Sequence, residues 1–248
     1  MKILVCISHV PDTTSKIQFT GDGKSLDTNG LQFIINPHDE YGLTRALQLK
    51  EAHGGQVTAI TVGDASVEPT LRKALAIGAD DAVRLDYVPT SGWSTAHALS
   101  AHIRSTSYDW VVCGQESIDY NGGQVPGMLA ALLDWPFVNG CIGADINGSE
   151  GIFVREIDGG KERVKASAPA VIAGKKGLVE ESALRIPNMR GIMAARTKSL
   201  TVQPVSMEHS SISSVRFEKP VGRTSVRLID KDNMGELVRL LHEEAKVI

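Results

Sequence analysis

The chain has 248 residues, 26 Lys and Arg against 29 Asp and Glu, and a formal net charge of −3. That length suits one large core or a domain with an appendage, and the charge lacks the basic excess of a nucleic-acid binder. No apolar run approaches the roughly 18 residues needed to span a bilayer, so no membrane insertion is expected. The apolar stretch at residues 3–7 is too short for a signal-peptide core. Cys6, Cys113 and Cys141 are odd in number and widely spaced, which indicates neither a disulfide framework nor a zinc site. The expectation is a cytoplasmic protein.

Strand-like and helix-like segments alternate over the first 140 residues. Residues 2–7 form a β-branched-rich run of the kind buried on both faces of a sheet. Residues 39–52 carry Leu43, Ala46 and Leu47 at helical spacing, and Gly54-Gly55 ends them. Residues 57–62 read as a second buried strand. Ser66 to Pro69 reads as a helix start with a capping hydroxyl and a first-turn proline, and Gly78 is its stop. Residues 81–85 and 108–113 predict strands, whereas 95–104 and 124–133 predict helices. This rhythm implies a doubly wound, mostly parallel α/β sheet, whose ligands sit at the carboxyl ends of the strands.

Beyond Phe137 the pattern changes. Residues 153–157 and 162–165 flank Asp158-Gly159-Gly160 as an inserted β-hairpin, and 170–173 read as a further strand. Residues 183–198 are basic with little periodic signal. Residues 201–228 are Ser-rich and predict an extended tether, and 232–245 an amphipathic helix with Met234, Leu237, Val238, Leu241 and Ala245 on one face. The expected division is a nucleotide-binding domain over 1–200 and a C-terminal arm with its helix over 201–248.

Nucleotide motifs narrow the chemistry. Gly23-Lys24-Ser25 superficially resembles a P-loop, but the motif's first glycine would fall at position 18, which is Gln18. No G-x-G-x-x-G follows the first strand. The segment from Gly114 to Gln124 is more informative: it follows a buried strand, contains Gly122 and Gly123, and leads into a helix. Glycines let backbone approach a ligand, and helix-start N–H groups favour phosphate. Asn36, Pro37, His38 and Asp39 offer a second helix start expected to present free amides. The seven histidines form no H-E-x-x-H and no triad, His97 and His102 are expected to be partly exposed, and nothing pairs Asp12, Glu116 or Asp119. The residues themselves therefore predict a nucleotide-binding α/β protein with no catalytic machinery and no metal site.

The segments Val10-Pro11-Asp12-Thr13, Lys16-Ile17 and Asn36-Pro37-His38-Asp39-Glu40 resemble the β subunit of electron transfer flavoproteins. So do residues 71–80 (LRKALAIGAD), Ser117-Ile118-Asp119, residues 155–160 (REIDGG), residues 184–188 (LRIPN) and Ile192-Met193, in the family's order over roughly residues 1 to 200. The resemblance implies an adenine-nucleotide α-hydrolase-like fold and a heterodimer in which the α subunit holds most of the FAD. It implies an arm reaching onto that partner, and an AMP contacted by Cys6, Asn36, Pro37, His38, Asp39, Val62, Gly114, Gln115, Asp119, Asn121, Gly122, Gly123, Gln124 and Val125. It also implies a loop that recognises flavin dehydrogenases at Ile186, Pro187, Asn188, Met189 and Arg190, with Ile186 as apolar anchor. Electrons would pass from dehydrogenases to an acceptor oxidoreductase. Two alternatives stand beside this carrier. Gly123 and Val125 replace polar residues of AMP-binding members, and Gln124-Val125 resembles electron-bifurcating relatives with a second FAD. The other is a stand-alone adenine-nucleotide-binding regulator.

Overall fold

The computed structural model describes residues 1–206, 212, 214–222 and 225–248. β1 (Lys2–Cys6) is followed by a two-stranded antiparallel ribbon of β2 (His9–Pro11) and β3 (Phe33–Ile35). Then come α1 (Pro37–His53), β4 (Gln56–Val62), α2 (Glu68–Ile77), β5 (Asp81–Asp86), α3 (Gly92–Ser105), β6 (Trp110–Gly114) and α4 (Val125–Leu133). Three antiparallel strands follow, β7 (Phe137–Asn147), β8 (Glu150–Ile157) and β9 (Gly160–Ser167). β10 (Ala170–Gly174), α5 (Met189–Ala195), β11 (Leu200–Pro204) and α6 (Met234–Glu243) complete the chain.

The main sheet runs β11-β5-β4-β1-β6-β10-β7-β8-β9 and is parallel from β11 through β7. β1 pairs with β4 on one side and β6 on the other, so the connection order reverses between β1 and β6. Successive residues of β1 serve opposite faces. Ile3 and Val5 join Leu43, Leu47 and Leu71 under α1 and α2. Leu4 and Cys6 join Leu99, Ile103 and Leu129 under α3 and α4. Burial on both faces is why these strands read as continuous apolar runs.

The expected elements are present, with five differences. A strand, β7, precedes the expected hairpin and makes it a three-stranded meander. Residues 183–198 contain α5, where no regular element is expected. β11 pairs in parallel with β5 over Leu200–Pro204, so the sheet extends into the segment assigned to the arm. α2 has no side-chain cap: the expected capping hydroxyl of Ser66 lies in a short 3-10 turn before it, where the Asp64 carboxylate accepts from Ser66 N at 2.9 Å. His102 is buried rather than partly exposed: Nδ1 lies 2.8 Å from Gln203 Oε1 and Nε2 3.1 Å from Tyr108 Oη.

The expected tether over 201–228 includes residues 207–211, 213, 223 and 224, which lie outside the described residues, as does His209. Farther along, Phe217 folds back on its own chain. Its N–H donates to Gly23 O at 2.7 Å and its ring stacks on Phe19. In α6 the most buried side chain is Leu240, while Met234 and Val238 are exposed. Among the described residues no helix is long and apolar enough to cross a membrane.

Phe153 joins the meander to the parallel sheet. It is fully buried, and its ring packs against that of Trp110 with centroids 5.6 Å apart. Phe153→Ala is expected to cost about 3–5 kcal/mol, read as a lowered denaturant midpoint with an unchanged slope.

Candidate functional site

The reversal of strand order opens a cleft at the carboxyl ends of β1, β4 and β6. Cys6, Ser8, Thr61, Val62, Cys113 and Gly114 line its floor and rim, with Glu116, Ser117 and Gly122 on one wall. Thr95 and Leu99 of α3 and Val125 and Pro126 of α4 close the other side.

Two side chains from the start of α1 hold the loops that shape this cleft. The Asp39 carboxylate accepts from Ser8 N at 2.7 Å and from Gly114 N at 2.8 Å, tying the end of β1 to the end of β6. Asn36 donates through Nδ2 to Glu116 O at 2.8 Å and accepts from Ile118 N at 3.2 Å. Gly114 makes the approach possible, because a Cβ there would collide with the Asp39 carboxylate and the His38 side chain. Burial pushes the Asp39 carboxyl up to about 7, against the opposing pull of the Ser8 and Gly114 amides.

The loop from Gly114 to Gln124 closes into a small turn. Ser117 and Gly122 exchange backbone hydrogen bonds of 3.2 Å, and Asn121 takes a left-handed φ of 48°. Asp119 accepts from Ser117 Oγ and Tyr120 N within the turn. Behind it α4 starts with no side-chain cap, and Pro126 in its first turn has no N–H.

The sequence-predicted residues divide accordingly. Cys6, Asp39, Val62, Gly114, Gly122 and Val125 line the cleft. Asn36 and Pro37 do not line it, and Asn36 holds the loop instead. The helix start is not a row of free amides: Asn36 N donates to Ser8 O, and Asp39 N to Asn36 O. His38 is not among the lining residues; its Nε2 lies 3.7 Å from Glu116 Oε1 and its Nδ1 is buried without a partner. The Glu116 carboxylate makes an ion pair there only when His38 is protonated. Gln115 Oε1 is also buried and unpartnered, but it stands near Gly140, away from the cleft. Asp119 and Asn121 belong to the exposed turn, and Gly123 and Gln124 to the approach to α4. Sequence reasoning missed Thr61, Thr95, Leu99 and Cys113. Their only signal was position, at strand ends and on the inner face of α3.

A second cavity, of about 550 Å³, lies across the Ser117–Gly122 turn, lined by His9, Thr13, Phe19, Phe33, Ile118 and Tyr120 among others. His9 stacks on Phe33 with centroids 4.2 Å apart, and its Nδ1 lies 2.7 Å from Thr70 Oγ1. Burial holds the His9 pKa below its usual value.

On another face of the protein, α5 packs on α2. Asn188 caps α5 by accepting from Gly191 N at 2.8 Å, and a Cβ on Gly191 would strike the Ala76 carbonyl. Arg72 of α2 donates to the carbonyls of Ala195 and Lys198. Ile186 is 84% exposed, and Met189, Arg190 and Met193 are exposed beside it, with Pro187 half-buried. Arg185 is engaged, donating to both oxygens of Glu51, so Arg190 and Arg196 are the exposed cations around Ile186.

The family model described as the electron transfer flavoprotein domain matches residues 24–207. The electron transfer flavoprotein subunit beta of Bacillus subtilis is 33% identical, with the whole of both chains covered. That of Thermoanaerobacterium thermosaccharolyticum is 36% identical over 80% of this chain and 76% of its own. The mitochondrial subunit beta of Oryza sativa subsp. indica is 30% identical over the whole of both chains. The chain belongs to the electron transfer flavoprotein β-subunit family.

The Asp39 clamp has a pH signature. The unfolded carboxyl ionises near pH 4, whereas the folded one keeps its proton until about 7. The unfolded state therefore binds fewer protons in that window, and the Asp39 contribution to stability falls as pH rises from about 4 to 7. Asp39→Asn should remove this slope. It should also cost about 1–3 kcal/mol, because an amide NH₂ would face the Ser8 or Gly114 N–H. Thermal unfolding of both proteins at half-unit steps from pH 4.5 to 8 measures both effects.

Proposed function

We propose that the chain is the β subunit of a heterodimeric electron transfer flavoprotein that carries electrons from flavin dehydrogenases to an acceptor oxidoreductase in the cytoplasm, and that its cleft binds AMP. The observation that carries the nucleotide is the strand-end cleft at the point of order reversal, leading to the uncapped first turn of α4. Ligands of doubly wound sheets bind at such points, and uncapped helix N–H groups suit a phosphate.

FAD, when bound with the α subunit, supplies the store of reducing electrons. This chain's contribution is to shield and position. The aromatic cavity beside the Ser117–Gly122 turn suits one side of a flavin presented by the partner, with Thr13 on its wall. Gly123 and Val125 offer no polar side chains to a phosphate. That absence favours one second reading, a bifurcating complex with a second FAD in place of AMP.

The exposed apolar group formed by Ile186, Met189 and Met193, with Arg190 and Arg196 around it, suits dehydrogenase docking. The charges would steer an acidic partner, and the apolar side chains would supply the central contact.

Co-expression with the α subunit and extraction of bound ligands tests the nucleotide. One FAD with AMP supports the proposal, two FAD per heterodimer support bifurcation, and ATP without flavin supports the stand-alone regulator. Ile186→Ala should slow stopped-flow electron exchange with the dehydrogenase about tenfold, roughly 1.4 kcal/mol. Flavin content and melting temperature should stay near wild type, because so exposed a side chain contributes little to the core. Equal rates would remove Ile186 as the anchor.

A further inference from the structure

Two of the three cysteines meet at the floor of the cleft. The β1–β6 ladder pairs Ile3 with Trp110, Leu4 with Val111 and Val5 with Val112, and its next step sets Cys6 beside Cys113. Neighbouring strands lie about 4.8 Å apart, and both side chains belong to the layer under α3 and α4. Both line the same cleft, at 9% and 4% exposure, with no other residue between them in the ladder. The neighbouring Cys6 thiol, together with burial, pushes the Cys113 thiol up. Both are free thiols, as is the distant Cys141.

We propose that Cys6 and Cys113 form a dithiol site for a soft, thiophilic centre that bridges both sulfurs, of the trivalent-arsenical class. Soft thiolate ligands select such centres over hard cations. Zinc requires four ligands, and among the described residues no group of three or more His, Cys, Asp or Glu is placed to hold a metal. Two sulfurs side by side on rigid strands instead suit a bridge that needs only two. The inference rests on the ladder register and the cysteines, and because the site shares its cleft with the proposed AMP, the test is run on protein freed of bound nucleotide.

The reaction balances without an oxidant. An organoarsenic(III) oxide condenses with the two thiols, forming two As–S bonds and breaking two S–H bonds. Both protons leave with the oxide oxygen as water, and arsenic stays trivalent. The sulfurs are reached through the cleft that both residues line.

The test uses the full-length protein and phenylarsine oxide. One equivalent should bind per chain, with loss of two of the three thiols on titration after denaturation. Excess 2-mercaptoethanol should leave the adduct in place, and 2,3-dimercaptopropanol should remove it. Peptide mass mapping should place the bridge between the segments holding Cys6 and Cys113. Cys6→Ser and Cys113→Ser should each abolish retention, and Cys141→Ser should keep it. Mapping is done on the unsubstituted protein, so it decides the question even where a variant fails to fold. An unmodified protein after saturating treatment, an adduct mapped to Cys141, or retention that survives loss of Cys6 or Cys113 would overturn the proposal.

Discussion

The carboxylate of Asp39 is the contact on which the geometry of the cleft depends. It stands in the first turn of α1, where the helix dipole favours negative charge. From there it accepts from the residue that leaves β1 and from the residue that ends β6. Those strands are neighbours in space but 75 residues separate Asp39 from Gly114. One buried group therefore fixes the relative height of two strand ends, and Asn36, one turn earlier, fixes the loop above them. Gly114 follows from the same constraint, since any side chain there would displace the carboxylate.

Much of this was legible in the sequence because the parallel strands are buried on both faces and show as unbroken apolar runs. What stayed hidden lacked such a signal. β7 carries Asn139, Gly140 and Gly143 and a register shift between Cys141 and Gly143, which breaks the alternation by which a strand is recognised. α5 is only seven residues long with a glycine inside it, and its hold on α2 comes from Arg72, more than a hundred residues earlier. β11 ends in Pro204, which is tolerated because it is an edge strand.

The site was legible in outline and misread in detail. The strand-end loops were found from topology alone, and Cys6, Asp39, Gly114 and Gly122 do line the cleft. At the α1 start, however, the amides of Asn36 and Asp39 are not free, because they serve the protein's own backbone. Sequence spacing locates a helix start, but only tertiary contacts reveal which partners its polar groups have taken. His102 illustrates the same limit, because its partners lie on β11 and beside β6, where no helical period points to them.

The strand order also bears on how the chain comes together during synthesis. β1 acquires its first neighbour once residue 62 has been made, but its second is β6, which begins at Trp110. Until then Leu4 and Val5 stand on an open, uncharged strand edge, the kind of surface that pairs with other chains. The Asp39 clamp cannot close until Gly114 has left the ribosome, and the outer edge at β5 waits for Leu200. A message truncated after β5 would therefore yield a product that sticks to its own copies, while one that reaches β10 would have its central strands paired on both sides.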